Sequence, residues 1–356
     1  MSASGNTKAA VLEKLKSSLV IVDLQVPQLD VGQVLVEIHS SGICGAQLNE
    51  IAGANGEDKF LPHLLGHEGA GIVRDVGPGV TCVKSGDHVV LHWRKGAGIE
   101  AAPALYQRKE NHALARTVGA GRVTTFSELA VVSENRVTSI DKDVPFDIAA
   151  LMGCAVTTAL GLINNEAQLR IGQSIAVAGC GGVGLNIIQA ARMVSAYPII
   201  AIDKHEDKLV LAKEFGATHA ADTATVDLRD VVFWATGDKG VDVFADCTGA
   251  VDVIAEGYAV TSRGGRMILV GQPHLDAALV FSSMRQHFTG KLLMDSQGGM
   301  TNPTEDIPRY LRLYKQGLLN LYGLITHRYP LEQVNDALDL IRSGQGRTGR
   351  CILEIQ

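Results

Sequence analysis

The segment SIAVAGCGGVGLNIIQAARMV, Ser174 to Val194, constrains the fold more than any other part of the chain. A short apolar run meets Gly179-x-Gly181-Gly182-x-Gly184, with Cys180 and Val183 in the spaces, and then gives way to apolar residues at helical spacing. A strand that turns through glycines into an amphipathic helix is the phosphate-binding unit of a dinucleotide fold. Its glycines serve a tight turn, close backbone approach to a pyrophosphate, and close helix-strand packing. The helix N-terminus turns free N–H groups and the positive dipole end toward the anion. A bare glycine pattern also serves as a packing turn, so the next strand matters. PIIAID ends at Asp203, about 20 residues on, where a carboxylate would hydrogen-bond the adenosine ribose 2′-hydroxyl and repel a 2′-phosphate. Together they predict a nicotinamide dinucleotide held by Gly179, Gly181, Gly182, Val183, Gly184 and Asp203, with NAD favoured over NADP. Lys204 keeps NADP open, and Lys208 either reaches the same ribose or is a solvated surface lysine.

Around this unit the rhythm is strand then helix: after SIAVAG come VGLNIIQAARMVSA, PIIAID, EDKLVLAKEFGAT, VDVFADCTG and RMILVG, the pattern of an α/β doubly wound parallel sheet. Before about Gly172 the chain is β-rich, with AVLEKL, SLVIVDLQVP, QVLVEIHSSGIC, EGAGIVRDVGPGV and DHVVLHW punctuated by Gly, Pro and Asp, which suggests a barrel or bent sheet. After Gln297 a helix, a short strand, a second helix and the closing strand GRCILEI follow, a tail that can rejoin the first region. At 356 residues the chain has room for two domains with cores of their own.

Lys+Arg 32 against Asp+Glu 38 argues against nucleic acid or an anionic membrane as partner through bulk charge. The longest uncharged stretch, Ile171 to Ala191, holds the glycine cluster and reads as a buried strand-turn-helix rather than a lipid-facing helix. Six scattered cysteines make no disulfide framework, and MSASGNTKAAVLEKLKSS has no apolar core followed by a cleavage site, so a reducing, cytoplasmic setting is expected.

Three glycine-flanked segments hold soft or borderline ligands: GICGAQ with Cys44, GHEGAG with His67 and Glu68, and MGCAVTTALG with Cys154. Catalytic zinc takes three ligands of this kind and keeps a fourth position for water or substrate. A buried Cys is also an ordinary small hydrophobe, and a His between glycines can be a hydrogen-bonded core residue. The residues alone leave both readings open.

GICG, GHEGAGIV, VKSGDHVV, GCAVTTALG, the GxGGxG turn with Asp203, KEFGATHA, DCTG at Asp246 to Gly249 and the terminal GRCILEI together resemble the zinc-dependent medium-chain alcohol dehydrogenases over almost the whole length. The resemblance implies a GroES-like β-rich catalytic domain, residues 1–153 and 297–356, interrupted by a Rossmann NAD-binding domain, residues 154–296. It implies one catalytic zinc on Cys44, His67 and Cys154, with Glu68 behind it as a transient ligand. Thr158 falls where relatives touch the nicotinamide, Val270 where the backbone faces its carboxamide, Arg350 where an arginine pairs with the pyrophosphate, and Trp93 where a large aromatic lines the substrate pocket. Relatives pair as homodimers or homotetramers through the edge of the Rossmann sheet, and LDAALVFSSM, residues 275–284, is the candidate edge segment here; an ordinary buried strand is the other reading.

Two departures stand out. No Cys lies between Cys82 and Cys154, so the structural zinc of many relatives is not expected, and the lobe WRKGAGIEAAPALYQRKENHALARTVGAGRV needs other contacts. Relatives also place Ser or Thr two residues after the first zinc Cys to pass the alcohol proton outward, with an acidic residue beside it to orient the zinc His; here these are Ala46 and Gln47, and Asn49 stands at the outer end of the relay. A substrate hydroxyl, a water chain, Glu68 or simply weak catalysis would account for the change, while the Gln47 amide oxygen can still accept from the His67 ring. The implied activity is reversible hydride transfer between a primary or secondary alcohol and NAD(P), giving aldehyde or ketone. His92, Trp93, Arg94 and Lys95 at a pocket rim would suit a polyol, cyclitol or sugar derivative instead, or form a solvated loop. A zinc-free quinone or enoyl reductase and a non-catalytic NAD(H)-binding sensor are the other readings.

Overall fold

The computed structural model describes residues 5–54, 56–109, 116–280, 285, 288–344 and 346–356. The run Ile175–Ala178 lies wholly buried at the centre of a six-stranded sheet, which is why it is continuously apolar rather than alternating. The sheet order is His219–Asp222, Ile199–Asp203, Ile175–Ala178, Val241–Asp246, Thr261–Leu269 and Leu292–Asp295, and every neighbouring pair is parallel. The chain winds outward from Ile175–Ala178 to His219–Asp222 and then returns to Val241–Asp246 on the other side. The winding direction therefore reverses between Ala178 and its register partner Asp246, where a doubly wound sheet opens its ligand crevice.

The uncharged stretch forms the strand Ile175–Ala178 and the helix Gly182–Met193, as its composition predicts. No helix among the described residues is long and apolar enough to cross a membrane. The helix Glu206–Phe215 carries Glu206 and Asp207 in its first turn and ends at Gly216 with φ 118°, the expected start and stop chemistry.

The β-rich part makes a closed barrel of Asn6–Leu12, Val20–Gln25, Leu105–Arg108, Thr117–Ala120 and His63–Leu64. Beside it runs a sheet in the order Val137–Ile140, His88–His92, Glu68–Val76, Gln33–Ile43, Arg350–Glu354 and Ile325–Pro330, with Leu129–Ser133 also paired to Gln33–Ile43. The tail does rejoin this region: Cys351 lies opposite Ile43 in an antiparallel pair, which brings Arg350 beside the residue before Cys44. Of the candidate edge segment, residues 281–284 lie outside the described residues. The rest is neither strand nor buried: it is irregular, with Leu275 70% and Val280 79% exposed.

Candidate active site

A cleft of about 1140 Å³ opens at the winding reversal and runs from the glycine turn to Cys44, His67 and Cys154. On the nucleotide side the glycines divide the work. Gly179 turns the chain at φ +87°, and a Cβ on Gly184 would stand 2.0 Å from the Gly179 carbonyl oxygen, so Gly184 is what lets helix and strand touch. A Cβ on Gly182 would collide with Arg350 at 2.4 Å, whereas Gly181 has open space before it and is the place for a phosphate to approach. Asp203 spans the turn, one oxygen accepting the Cys180 N–H at 2.8 Å and the other the His205 N–H at 3.1 Å. Lys204, His205 and Lys208 line the cleft beside it, as do Thr158 and Val270; the Val270 N–H is donated to the Asp246 carbonyl.

The three soft ligands come from three chain breaks. Cys44 closes the strand Gln33–Ile43 and caps the helix Gly45–Ala52, His67 precedes the strand Glu68–Val76, and Cys154 precedes the helix Ala155–Gly161. Gly66, at φ +93°, keeps His67 in place because any side chain there would strike Thr125. One ligand atom from each of Cys44, His67 and Cys154 lies within 4.8 Å of the others. Ligands bound at 2.0 to 2.3 Å around a tetrahedral zinc stand roughly 3.3 to 3.8 Å apart, so the set fits that ion.

The electrostatics suit a cation. A hydrogen bond from Cys154 holds the Cys44 sulfur well below the ordinary thiol range against the cost of burial, with Arg350 and His67 helping, and Cys154 is held well above it by the same bond and its burial. The pair thus retains one proton that a metal would displace. Burial alone would pull His67 down, but the Cys44 hydrogen bond and charge, with Glu68 and Glu50, leave it above its ordinary value.

Behind the ligands, fully buried Glu68 has its carboxyl pushed up to about 7 by burial, with Arg350 pulling the other way. Two glycines make its room, since a Cβ on Gly42 would stand 2.7 Å from the Glu68 carboxyl carbon and one on Gly153 would stand 2.7 Å from its Cα. Arg350 donates from Nη1 to the Ile43 carbonyl at 2.8 Å and lies 3.2 Å from Glu68. Its Nε and Nη2 are buried without a hydrogen-bond partner among the described residues, and Nε faces Gly182. Unspent donors at the start of the Gly182–Met193 helix fit an anionic phosphate.

Ala46, Asn49, Glu50, Phe60, His63, Trp93 and Val123 line the far end of the cleft. Gln47 departs from the sequence expectation: its amide oxygen accepts the Cys44 N–H at 3.0 Å, and its amide nitrogen, not its oxygen, stands 2.5 Å from His67 Nδ1. Of the expected rim, only Trp93 faces the cleft. His92 is a core residue, hydrogen-bonded to the Arg94 carbonyl and Thr138 and pushed down to about 4 by burial. Arg94 donates to the carbonyls of Gln297 and Thr301, and Lys95 pairs with Glu100.

Residues 30–142 match the family described as alcohol dehydrogenase GroES-like domain and residues 182–316 match zinc-binding dehydrogenase. A class-3 alcohol dehydrogenase of Cereibacter sphaeroides is 32% identical, covering 95% of this chain and 97% of its own. The chain belongs to the zinc-dependent medium-chain alcohol dehydrogenases. Solved dehydrogenase structures share the fold: an alcohol dehydrogenase zinc-binding domain protein from Burkholderia ambifaria superposes with TM-score 0.89 at 29% identity over 99% of this chain and 100% of that one. Benzyl alcohol dehydrogenase from Acinetobacter calcoaceticus does so with TM-score 0.87 at 27% identity, again over 99% and 100%.

In this dehydrogenase the sequence reading missed Glu50, His63, Phe60 and Val123 on the cleft wall. Two carried a readable signal: Ala46, Asn49 and Glu50 stand at i, i+3 and i+4, and His63 lies four residues before His67. Buried Glu134 ties the start of the lobe to the loop before it: its carboxylate accepts the N–H of Ile99 in the lobe at 2.7 Å and those of Thr81 at 2.6 Å and Cys82 at 2.8 Å ahead of it.

Proposed function

We propose that this chain is an NAD-dependent zinc alcohol dehydrogenase that oxidises a primary or secondary alcohol reversibly to an aldehyde or ketone. The observation that carries the reading is that Cys44, His67 and Cys154 converge in the same cleft as the glycine turn, with Arg350 bridging the two. Bound there, zinc supplies Lewis acidity at the alcohol oxygen and the nicotinamide supplies the hydride acceptor. Cys44, His67 and Cys154 hold the metal, with Glu68 behind them as a transient ligand. Arg350 and the N–H groups around Gly181, Gly182 and Val183 orient the pyrophosphate, Asp203 holds the ribose and disfavours a 2′-phosphate, Lys208 stands beside it, and Thr158 and Val270 flank the nicotinamide. Phe60 and Trp93 suit an alcohol with an apolar or aromatic body, in keeping with the likeness to a benzyl alcohol dehydrogenase; His92, Arg94 and Lys95 are committed elsewhere, and Asn49, Glu50 and His63 on the same wall are what keeps the polyol class as the second reading.

The proposal places the cofactor domain at residues 154–296, gives the chain one zinc, and pairs copies through the outer strand Leu292–Asp295, whose Leu292 is 55% exposed. A cytoplasmic setting accords with six free cysteines. Zinc analysis together with a turnover screen over aliphatic, aromatic and polyol substrates with NAD and NADP tests the reading. One zinc per chain and NAD-linked alcohol oxidation are expected. Full activity without metal would point to the zinc-free reductases, and cofactor binding with no turnover on any substrate would point to a sensor.

A further inference from the structure

Oxidation of an alcohol by a nicotinamide releases a proton, and Ala46, on the cleft wall two residues after Cys44, has no group to take it. One turn along the helix Gly45–Ala52, Asn49 and Glu50 share the face of Ala46 that lines the cleft. The Glu50 carboxylate lies 3.5 Å from the Gln47 amide nitrogen; burial pushes its carboxyl up, and the charges of His67 and His63 draw it back. His63 opens the barrel strand His63–Leu64 and lines the same cleft. Its Nδ1 stands 2.7 Å from Asp58 Oδ2, and the other Asp58 oxygen accepts the Phe60 N–H at 2.8 Å, so the pair is fixed in orientation. With Nδ1–H donated to Asp58, Nε2 is the nitrogen left to accept a proton, and it faces Gly121, where a Cβ would stand 3.9 Å away. Glu50, His67, Arg122 and the thiols of Cys44 and Cys154 are the other charged or titratable groups lining this part of the cleft among the described residues, and Cys44 acts on Glu50 against the two histidines. Neither Glu50 nor His63 is taken up by the proposed metal or cofactor sites.

We propose that Glu50 and His63 form the proton exit of the cleft, with Asp58 as the residue that positions His63. The inference rests on the alcohol-oxidation reading. In the step, the alcohol C–H bond breaks and its hydride passes to the nicotinamide. The O–H bond breaks as well, its electrons become the second bond of the carbonyl, and its proton moves through water to Glu50 or to His63 Nε2 and on to solvent.

The test uses the zinc-loaded full chain as wild type, Glu50→Gln, His63→Gln and His63→Ala, each checked for an unchanged melting temperature. In histidine-labelled protein, the ring signal lost in His63→Gln should follow pH differently in Glu50→Gln and in the wild type, since removing a negative neighbour disfavours the imidazolium. NADH formation in Glu50→Gln and His63→Ala should slow by about tenfold or more near neutral pH, with free imidazole restoring part of the rate in His63→Ala. A His63 signal that ignores Glu50→Gln, or variant pH profiles that superimpose on the wild type, overturns the proton exit alone. A wild type with no turnover on any alcohol overturns the alcohol-oxidation reading and this inference together.

Discussion

Arg350 Nη1 stands 3.2 Å from Glu68 Oε1, and neither side chain reaches solvent beyond 5%. The arginine comes from the closing strand and the glutamate from the strand that follows His67, so this one pair ties the tail to the floor of the metal site. Breaking a buried ion pair from one side leaves a charge without compensation, which costs about 3 to 5 kcal/mol, whereas replacing both partners removes the desolvation cost as well. Arg350→Met is therefore expected to lower the unfolding free energy of the metal-free protein by up to that amount at alkaline pH, and by less near neutral pH, where the Glu68 carboxyl, already pushed up to about 7, takes a proton once Arg350 is gone; Glu68→Gln in the Arg350→Met background should recover part of the alkaline loss. A double-mutant cycle by urea denaturation checks this; strictly additive losses would show that the pair is not coupled.

Gln47 is the only group hydrogen-bonded to His67 Nδ1 among the described residues. A ligating histidine donates its other ring N–H, so zinc on His67 Nε2 requires the Gln47 amide to turn its oxygen to Nδ1 in place of the nitrogen that faces it here; loss of such a partner typically weakens metal binding tenfold to a hundredfold. Gln47→Leu should weaken zinc by about that factor, while Cys44→Ser and Cys154→Ser should leave the isolated protein with little metal. Chelator competition followed by metal analysis measures both effects. Unchanged affinity in Gln47→Leu would mean that packing alone sets the ring.

What the sequence made legible were features whose chemistry is local. The turn from Gly179 to Gly184 had to sit between a strand and a helix because each glycine is needed within a few residues of itself, and Asp203 follows from the length of one strand-helix-strand unit. The closing strand Arg350–Glu354 was readable from its apolar run, but not that Arg350 would face Gly182 and Glu68, because that depends on which strand the tail pairs with. The helix Leu228–Thr236 escaped notice since LRDVVFWAT is rich in β-branched and aromatic residues; the cue was Asp227, whose carboxylate caps the helix through the Arg229 N–H. His92 is not a rim residue because the strand His88–His92 is buried from Val89 to His92, both faces being covered, and the chain reaches the cleft only at Trp93.

Asp203 lies on the cleft wall with Lys204, His205 and Lys208 beside it. With the carboxylate gone, Lys204 and Lys208 would welcome a 2′-phosphate rather than see it repelled. A charged hydrogen bond to a ribose hydroxyl is worth about 2 kcal/mol, or roughly thirtyfold in binding. Asp203→Asn should raise KM for NAD by about that factor and lower KM for NADP, with kcat changed far less. Equal losses with both cofactors would place the role of Asp203 in holding the Cys180 and His205 N–H groups instead.

Glu134 ties the start of the lobe to the loop that precedes it. Its carboxylate gathers three backbone N–H groups from two separate stretches, Thr81 and Cys82 on one side and Ile99 on the other, and Gly98 at φ +102° is kept bare because a Cβ there would stand 2.6 Å from the Glu134 side chain. Burial alone would raise the carboxyl, but the three N–H bonds outweigh it and hold it below the ordinary value of 4.5. A group depressed on folding contributes stability above its unfolded value and gives it up as pH falls toward its folded value. Glu134→Gln should therefore cost about 2 to 3 kcal/mol at neutral pH, since the amide retains one good acceptor in place of two charged ones, and should flatten the loss of stability below about pH 4.5. Melting curves of both proteins from pH 3 to 8 decide it: curves that stay parallel through the acid range would show that the lobe does not depend on the Glu134 charge.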